Sequence, residues 1–332
     1  TTQMKKTLIA AAVMAASGVA FAASNVTLYG VIEEGVVVSK AKHKDTMVDL
    51  KAGFDSGNRW GIKGVEDLGN GYSVGFILEQ GFTADNGNAA NANYTTSSGF
   101  TRESFMYVTG NFGKLGFGRT GSLSSGAQSN HILTGWALGT GLGLSSWTSE
   151  IGTSYGRLNN TISYATPSFS GLTIHAMYSN GIGEDTNKWS ENTHYYGIGA
   201  KYQANAIKSS LIFEAVDNKG GEKNLVGNKV HGDKAYTVNF GFEYNLGSFT
   251  PMFAYQWANQ DDGKKTHMFG LSAKVPVAGG DVLAGARYLF GKDEAITTGD
   301  DKVRAWNIGA AYIYPLSKRT AVKAYAGYAD GA

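Results

Sequence analysis

Side chains able to do acid–base or nucleophilic chemistry are few in this 332-residue sequence and poorly spaced for it. There is no Cys, hence no thiolate nucleophile and no disulfide. A nucleophile and its base on one extended strand share a face at i and i+2. His175, His194 and His267 fall in extended stretches, and none has a serine two residues away. His43, His131 and His231 stand far from these and from one another in the sequence, so metal ligation is not expected. The carboxylate pairs Glu33–Glu34 and Asp261–Asp262 are adjacent, which puts their members on opposite strand faces. Gly139-Thr140-Gly141-Leu142-Gly143 lacks the Gly-Lys ending of a phosphate loop. No catalysis, cofactor or metal is expected. What remains is fixed charge facing water: Arg59, Lys63, Arg102 and Arg157 against Glu33, Glu79 and Glu150.

Residues 56–82 show how such charges are presented. Trp60, Ile62 and Gly64 share one side of the first run, and Arg59, Gly61 and Lys63 the other. In the second run Phe76, Leu78, Gln80 and Phe82 oppose Gly75, Ile77, Glu79 and Gly81. A period of two is the strand signature, and Asn70-Gly71 between the runs marks a tight hairpin. The same alternation sets Arg102 opposite Phe105 and Tyr107, Arg157 opposite Leu158 and Ile162, and Glu33 opposite Ile32. Glu34 falls on the apolar side, where a subunit interface would have to shelter it. Arg119 shares parity with Leu115 and Phe117, so simple alternation sends it outward. A soluble sandwich or a membrane barrel with its faces exchanged would both produce this pattern.

The rest of the chain favours the barrel. Lys5 and Lys6, the apolar and small-residue stretch 8–19 and Ala20-Phe21-Ala22 read as a signal peptide over residues 1–22, with Met4 as the start. Without Lys5 and Lys6 the 29 basic residues fall to 27, equal to the 27 acidic ones, which argues against a nucleic-acid partner. No apolar run approaches the ~20 residues of a membrane helix. An exported chain without disulfides needs another source of stability, and a closed hydrogen-bonded sheet in a bilayer supplies it.

Fifteen strands are predicted: 25–39, 55–68, 71–83, 100–110, 113–120, 154–165, 170–180, 193–204, 206–217, 234–246, 248–259, 265–276, 280–291, 302–314 and 317–328. They are nearer the ~9–11 residues of tilted membrane strands than the ~5–6 of soluble ones. Short connections alternate with longer ones, as periplasmic turns alternate with outer loops. Aromatics near strand ends, among them Tyr29, Phe112, Tyr164, Phe169, Tyr244, Phe253, Tyr288, Phe290 and Tyr314, suit girdles at the two interfaces. Bacterial barrels use even strand numbers, so a closing strand is expected beyond Ala332 and residues 23–332 read as one C-terminally truncated barrel domain.

These residues resemble the Gram-negative general porins of the 16-stranded trimeric branch. The resemblance is carried by Val26-Thr27-Leu28-Tyr29-Gly30-Val31, by 56–82 with its Arg-Trp-Gly-Ile-Lys-Gly and Glu-Asp-Leu-Gly core, and by Thr101-Arg102-Glu103-Ser104-Phe105. Gly110-Asn111-Phe112-Gly113-Lys114-Leu115-Gly116-Phe117-Gly118-Arg119, Asn159-Asn160-Thr161-Ile162-Ser163-Tyr164 and Pro167-Ser168-Phe169-Ser170-Gly171-Leu172 complete the set. It implies an all-β, 16-stranded antiparallel transmembrane barrel, a homotrimer in outer-membrane lipid, and passive passage of small hydrophilic solutes and inorganic ions. It also implies that the third outer loop, here from Gly121 to Gly152, folds into the lumen and sets its narrowest point. Trp136, Leu138, Leu142, Leu144 and Trp147 are candidates to pin that loop to the wall. Arg59, Arg102 and Arg157 match the family's basic cluster. The loop carries one formal charge, Glu150, so the lumen is expected to be positive and weakly anion-preferring. A substrate-specific channel, and a surface adhesin or receptor barrel with incidental conduction, are the alternatives.

Overall fold

The computed structural model describes residues 25–89, 99–125, 129–138, 153–183, 188–219, 234–261 and 263–331. The expected signal peptide, Leu142, Leu144, Trp147, Glu150 and Gly152 lie outside them. The strands are β1 (Asn25–Val31), β2 (Glu34–Ser39), β3 (Met47–Ala52), β4 (Arg59–Gly69), β5 (Tyr72–Gly81), β6 (Glu103–Gly110), β7 (Gly113–Gly121), β8 (Arg157–Ala165) and β9 (Leu172–Ser179). Then come β10 (His194–Ala204), β11 (Ile207–Asp217), β12 (Lys234–Tyr244), β13 (Thr250–Gln260), β14 (Lys264–Val277), β15 (Gly280–Asp293), β16 (Lys302–Pro315) and β17 (Ala321–Gly331).

Fifteen of these form one antiparallel sheet in the order β1, β4 and then β5 through β17, each strand beside the next. Consecutive pairing follows from the short turns. Between β4 and β5 the loop is Asn70-Gly71, with φ of 52° and 80°, the left-handed pair a two-residue hairpin requires. The fold is therefore the all-β antiparallel barrel sheet expected.

The faces are inside out relative to a soluble protein. Leu271 is 66% exposed, Ile198 54% and Leu211 52%, while Glu214, Thr237, Asn239 and Gln256 on the other row are buried. In water this would be unstable; in hydrocarbon it is the required arrangement, with apolar side chains toward lipid and backbone groups satisfied by neighbouring strands. The sheet curls far enough for side chains at its two edges to touch: Lys323 on β17 reaches Glu33 and Asp55 beside the β1–β4 edge, although β17 does not pair with β1. Phe54 packs edge-on against Tyr325 at the same seam, ring centroids 5.3 Å apart.

The expected strand 25–39 is two strands. β1 leaves the sheet after Val31, and β2 pairs with β3 in a separate hairpin, where a loop was expected over 40–54. The cause is local: the Glu33 carboxylate accepts the backbone N–H groups of Asp55 and Ser56, and its own N–H donates to Asn58 Oδ1 at 2.6 Å. These bonds turn the chain out of the ladder and break the alternation before Glu34, which is exposed at the start of β2.

Candidate functional site

The connection after β7 runs back inside the curled sheet and crosses the inner face of β10 through β16. Each contact is one of alternation, because inward side chains recur every second residue. Ser124 donates its hydroxyl to Glu214 Oε2 at 2.6 Å, and Tyr195 donates to the other oxygen at 2.7 Å. Thr134 N–H donates to Ser210 Oγ at 3.1 Å, Gly135 N–H to Glu243 Oε1 at 3.0 Å and Ala137 N–H to Ser272 Oγ at 3.0 Å. The returning arm is held by Gln256, whose side chain both accepts from Thr153 N–H (2.7 Å) and donates to Thr153 O (2.8 Å).

Small residues on the wall admit the loop. A Cβ on Gly241 would fall 2.0 Å from Thr134 O, and one on Gly285 would fall 2.7 Å from the Trp136 ring. Trp136 lies over the Arg287 guanidinium at 4.9 Å, and Arg287 donates to Asn307 Oδ1 at 3.0 Å. Leu138 packs with Leu283 and Ala311. Gly121 ends β7, and the expectation of an inward loop pinned by Trp136 and Leu138 matches this path.

The chain brings the arginines together at the end of the lumen where this loop starts. Arg59 and Lys63 lie on the inner row of β4, opposite in face to exposed Trp60. Lys63 Nζ sits 5.2 Å from the Tyr29 ring centroid. Arg59 is within electrostatic range of Arg102, Glu79 and Glu103, and its buried Nε lacks a hydrogen-bond partner among the described residues. Arg102 and Arg157 line one cleft of about 180 Å³ with Asn58 and Thr101. Arg102 Nε donates to Glu79 Oε1 at 2.7 Å, and the Tyr29 hydroxyl donates to Glu79 Oε2 at 2.8 Å. Glu79 thus neutralises one guanidinium of the group.

The sequence expectation differs from the structure in four places. Phe105 is buried and Tyr107 half-buried on the inner row, with Met106 exposed, so Arg102 reaches the lumen from the segment before β6 and not by alternation. Leu158 is fully buried with Leu123, Ile132 and Tyr155, because register shifts between Gly118 and Thr120, a bulge that re-aims both strands. The same bulge lets Arg119 donate to Thr101 O (2.7 Å) and Asn159 Oδ1 (2.6 Å). Tyr29 binds Glu79 and is no girdle residue. Glu33 is ion-paired with Lys323, which shares the inner row of β17 with Tyr325.

Two carboxylates escaped the sequence reading. Buried Glu103 accepts from the Thr120 hydroxyl at 2.8 Å and from the Ser129 N–H and hydroxyl at 3.0 and 2.8 Å. Ser129 stands two residues from His131 in the loop, but its hydroxyl is committed to this carboxylate. Glu214, fully buried, does the same for Ser124. Glu214 shares parity with Ile212 and Val216 against Leu211 and Phe213, a signal that could have placed it inward.

A family model described as Gram-negative porin matches residues 9–332. Outer membrane porin protein 32 of Delftia acidovorans is 31% identical over 326 residues, covering 96% of this chain and 88% of that one. An outer membrane porin protein of Bordetella pertussis is 26% identical over 387 residues, covering 98% of this chain and 94% of that one. Among solved structures, an anion-selective porin from Comamonas acidovorans has a TM-score of 0.68 at 28% identity, over 93% of this chain and 89% of that chain. OmpT of Vibrio cholerae in its trimer form shares the fold, with a TM-score of 0.67 at 16% identity over the same shares, 93% and 89%.

Proposed function

The chain belongs to the Gram-negative porin family, and from that premise we propose that its water-filled lumen passes small hydrophilic solutes and ions with a weak preference for anions. As an outer-membrane porin it conducts by diffusion past the inward loop. The carrying observation is the meeting of Arg59, Arg102 and Arg157 at one end of that loop, with Glu79 spent on Arg102. Glu103 and Glu214, the buried acids nearest the loop, are occupied by its hydroxyl and amide groups. Guanidinium groups facing water attract anions, and screening over ~8–10 Å keeps the preference weak at physiological salt. The anion-selective relative from Comamonas acidovorans supports the same reading.

Reversal potential across a planar bilayer in a potassium chloride gradient tests it. The native protein should show a chloride-favouring sign. Arg59→Ala with Arg157→Ala should move the potential toward zero. A cation-favouring native protein, or no change in the double variant, would remove the cluster from selectivity.

We also read the functional unit as a homotrimer. In the β2–β3 hairpin Val36 pairs with Leu50 and Val38 with Val48, and all four side chains are exposed. Such a face on a projecting hairpin suits a neighbouring subunit.

A further inference from the structure

The outward face at the long-loop end of β14, β15 and β16 carries a graded set of rows. Lys265, Lys292 and Lys302 stand directly opposite one another across the three strands. The next row of that face is His267, Phe290 and Arg304. Below it come Phe269, Tyr288 and Trp306, and then Leu271, Ala286 and Ile308. Along about 20 Å of strand, at ~3.4 Å per residue, the surface passes from cationic through aromatic to aliphatic.

The lysine row is unfavourable by itself, because like charges directly opposite on a sheet repel. Two acids relieve part of it: Glu294 lies 2.7 Å from Lys265 and Asp301 lies 3.8 Å from Lys292. Among the described residues, neither Lys302 nor Arg304 has an acidic side chain within ion-pair distance. Neighbouring strands are ~4.7–4.9 Å apart, so the row spans about the width of one phosphorylated sugar headgroup. An open cleft of about 540 Å³ lies between these cations and the rings of Tyr288 and Phe290.

We propose that this face holds a lipid whose headgroup bears phosphomonoesters, the cations taking the phosphates and the lower rows the acyl chains. The chemistry fits at each level. Arg304 can bind a phosphate bidentately and the lysines act as point charges. Aromatic rings suit the interface below the headgroups, and Leu271 and Ile308 suit the hydrocarbon. Cations at this depth are tolerated, since the cost of Lys or Arg on the lipid face falls from ~2–4 kcal/mol at mid-membrane to ~0–1 at the interface. The site is separate from the lumen, whose charges lie on the opposite strand face.

The test uses the full chain folded in detergent, with three probes: bis-phosphorylated lipid A, the same lipid dephosphorylated, and inorganic phosphate. Native mass spectrometry reads the bound mass. The native protein should retain lipid A, and Lys292→Gln with Lys302→Gln should weaken retention at least roughly tenfold. The dephosphorylated lipid should bind no better to the native protein than lipid A does to the variant. Lys302→Gln alone is the fallback should the double variant fold poorly, and heat-modifiable migration reports the fold of each. Equal retention by native protein and variant, or equal retention of dephosphorylated lipid, would overturn the proposal. Displacement of lipid A by equimolar inorganic phosphate would show an ion site, and a change of oligomer size without lipid loss would show a protein interface; either result also overturns it.

Discussion

Lys323 places its ammonium 2.8 Å from the Glu33 carboxylate, joining side chains 290 residues apart. The same ammonium lies 2.7 Å from Asp55, so one cation balances two acids where the β17 edge comes within side-chain reach of the β1–β4 edge. Replacing it leaves those acids facing each other in a half-buried seam. Lys323→Met should lower stability by about 1–3 kcal/mol, since charge-assisted bonds are lost and like charges remain. The temperature of unfolding in detergent measures this. Adding Glu33→Gln to Lys323→Met should recover part of the loss, which a purely steric effect of methionine would not.

Alternation made most of the barrel legible, because a sheet with lipid on one face and water on the other imposes period two on each strand. Fourteen of the fifteen predicted strands match the sheet with small shifts at their ends. The miss at 25–39 came from side chain-to-backbone bonds at Glu33, which carry no periodic signal. Parity failed at Phe105 and Leu158 for another reason, because apolar residues also line parts of the inner row. The register shift turns Leu158 into the packed wall beneath the loop, with Leu123, Ile132 and Tyr155. Phe105 faces inward beside Tyr107 and the Lys114 ammonium, so the usual sign of the pattern is lost. Arg59 and Lys63 were legible because they alternate regularly with exposed Trp60 along β4. The loop's anchors, Glu103 and Glu214, depend on contacts across 26 and 90 residues that no local spacing reveals.

Glu79 is the acid that tempers the arginine group. Glu79→Gln keeps the side-chain shape and an acceptor for the Tyr29 hydroxyl while releasing the charge on Arg102. The anion-to-cation permeability ratio should rise roughly twofold at low salt and return toward the native value as salt shortens the screening length. Reversal potentials at two ionic strengths check both the direction and its salt dependence. Arg102→Ala should act in the opposite sense or leave the ratio unchanged, since its partner carboxylate is then unpaired.

Trp136 clamps the loop onto β14 and β15. Its ring fills the space beside Gly270 and Gly285 and lies over Arg287, which is 2% exposed. Trp136→Ala removes this packing and the cation–π contact, a local loss of about 3–5 kcal/mol. The barrel wall is hydrogen-bonded strand to strand and should survive, so the loop alone is expected to loosen. Single-channel recordings should show higher mean conductance and more open-state noise. Unchanged conductance with unchanged noise would mean that Ser124, Gly135 and Thr153 hold the loop without the ring.

The β2–β3 hairpin gives the last expectation, on assembly. Its apolar face consists of Val36, Val38, Val48 and Leu50 and is exposed in the single chain, whereas Val37 on the other face is buried. Two carboxylates placed opposite each other, in Val38→Glu with Val48→Glu, would have to be buried in a subunit contact, at a cost of several kcal/mol for each unpaired ion. The same change costs little in a monomer, because those positions are then in water. Size-exclusion chromatography with light scattering should therefore show a shift from trimer to smaller species with the barrel still folded by circular dichroism. An intact trimer in the double variant would place the subunit contact elsewhere on the outer face.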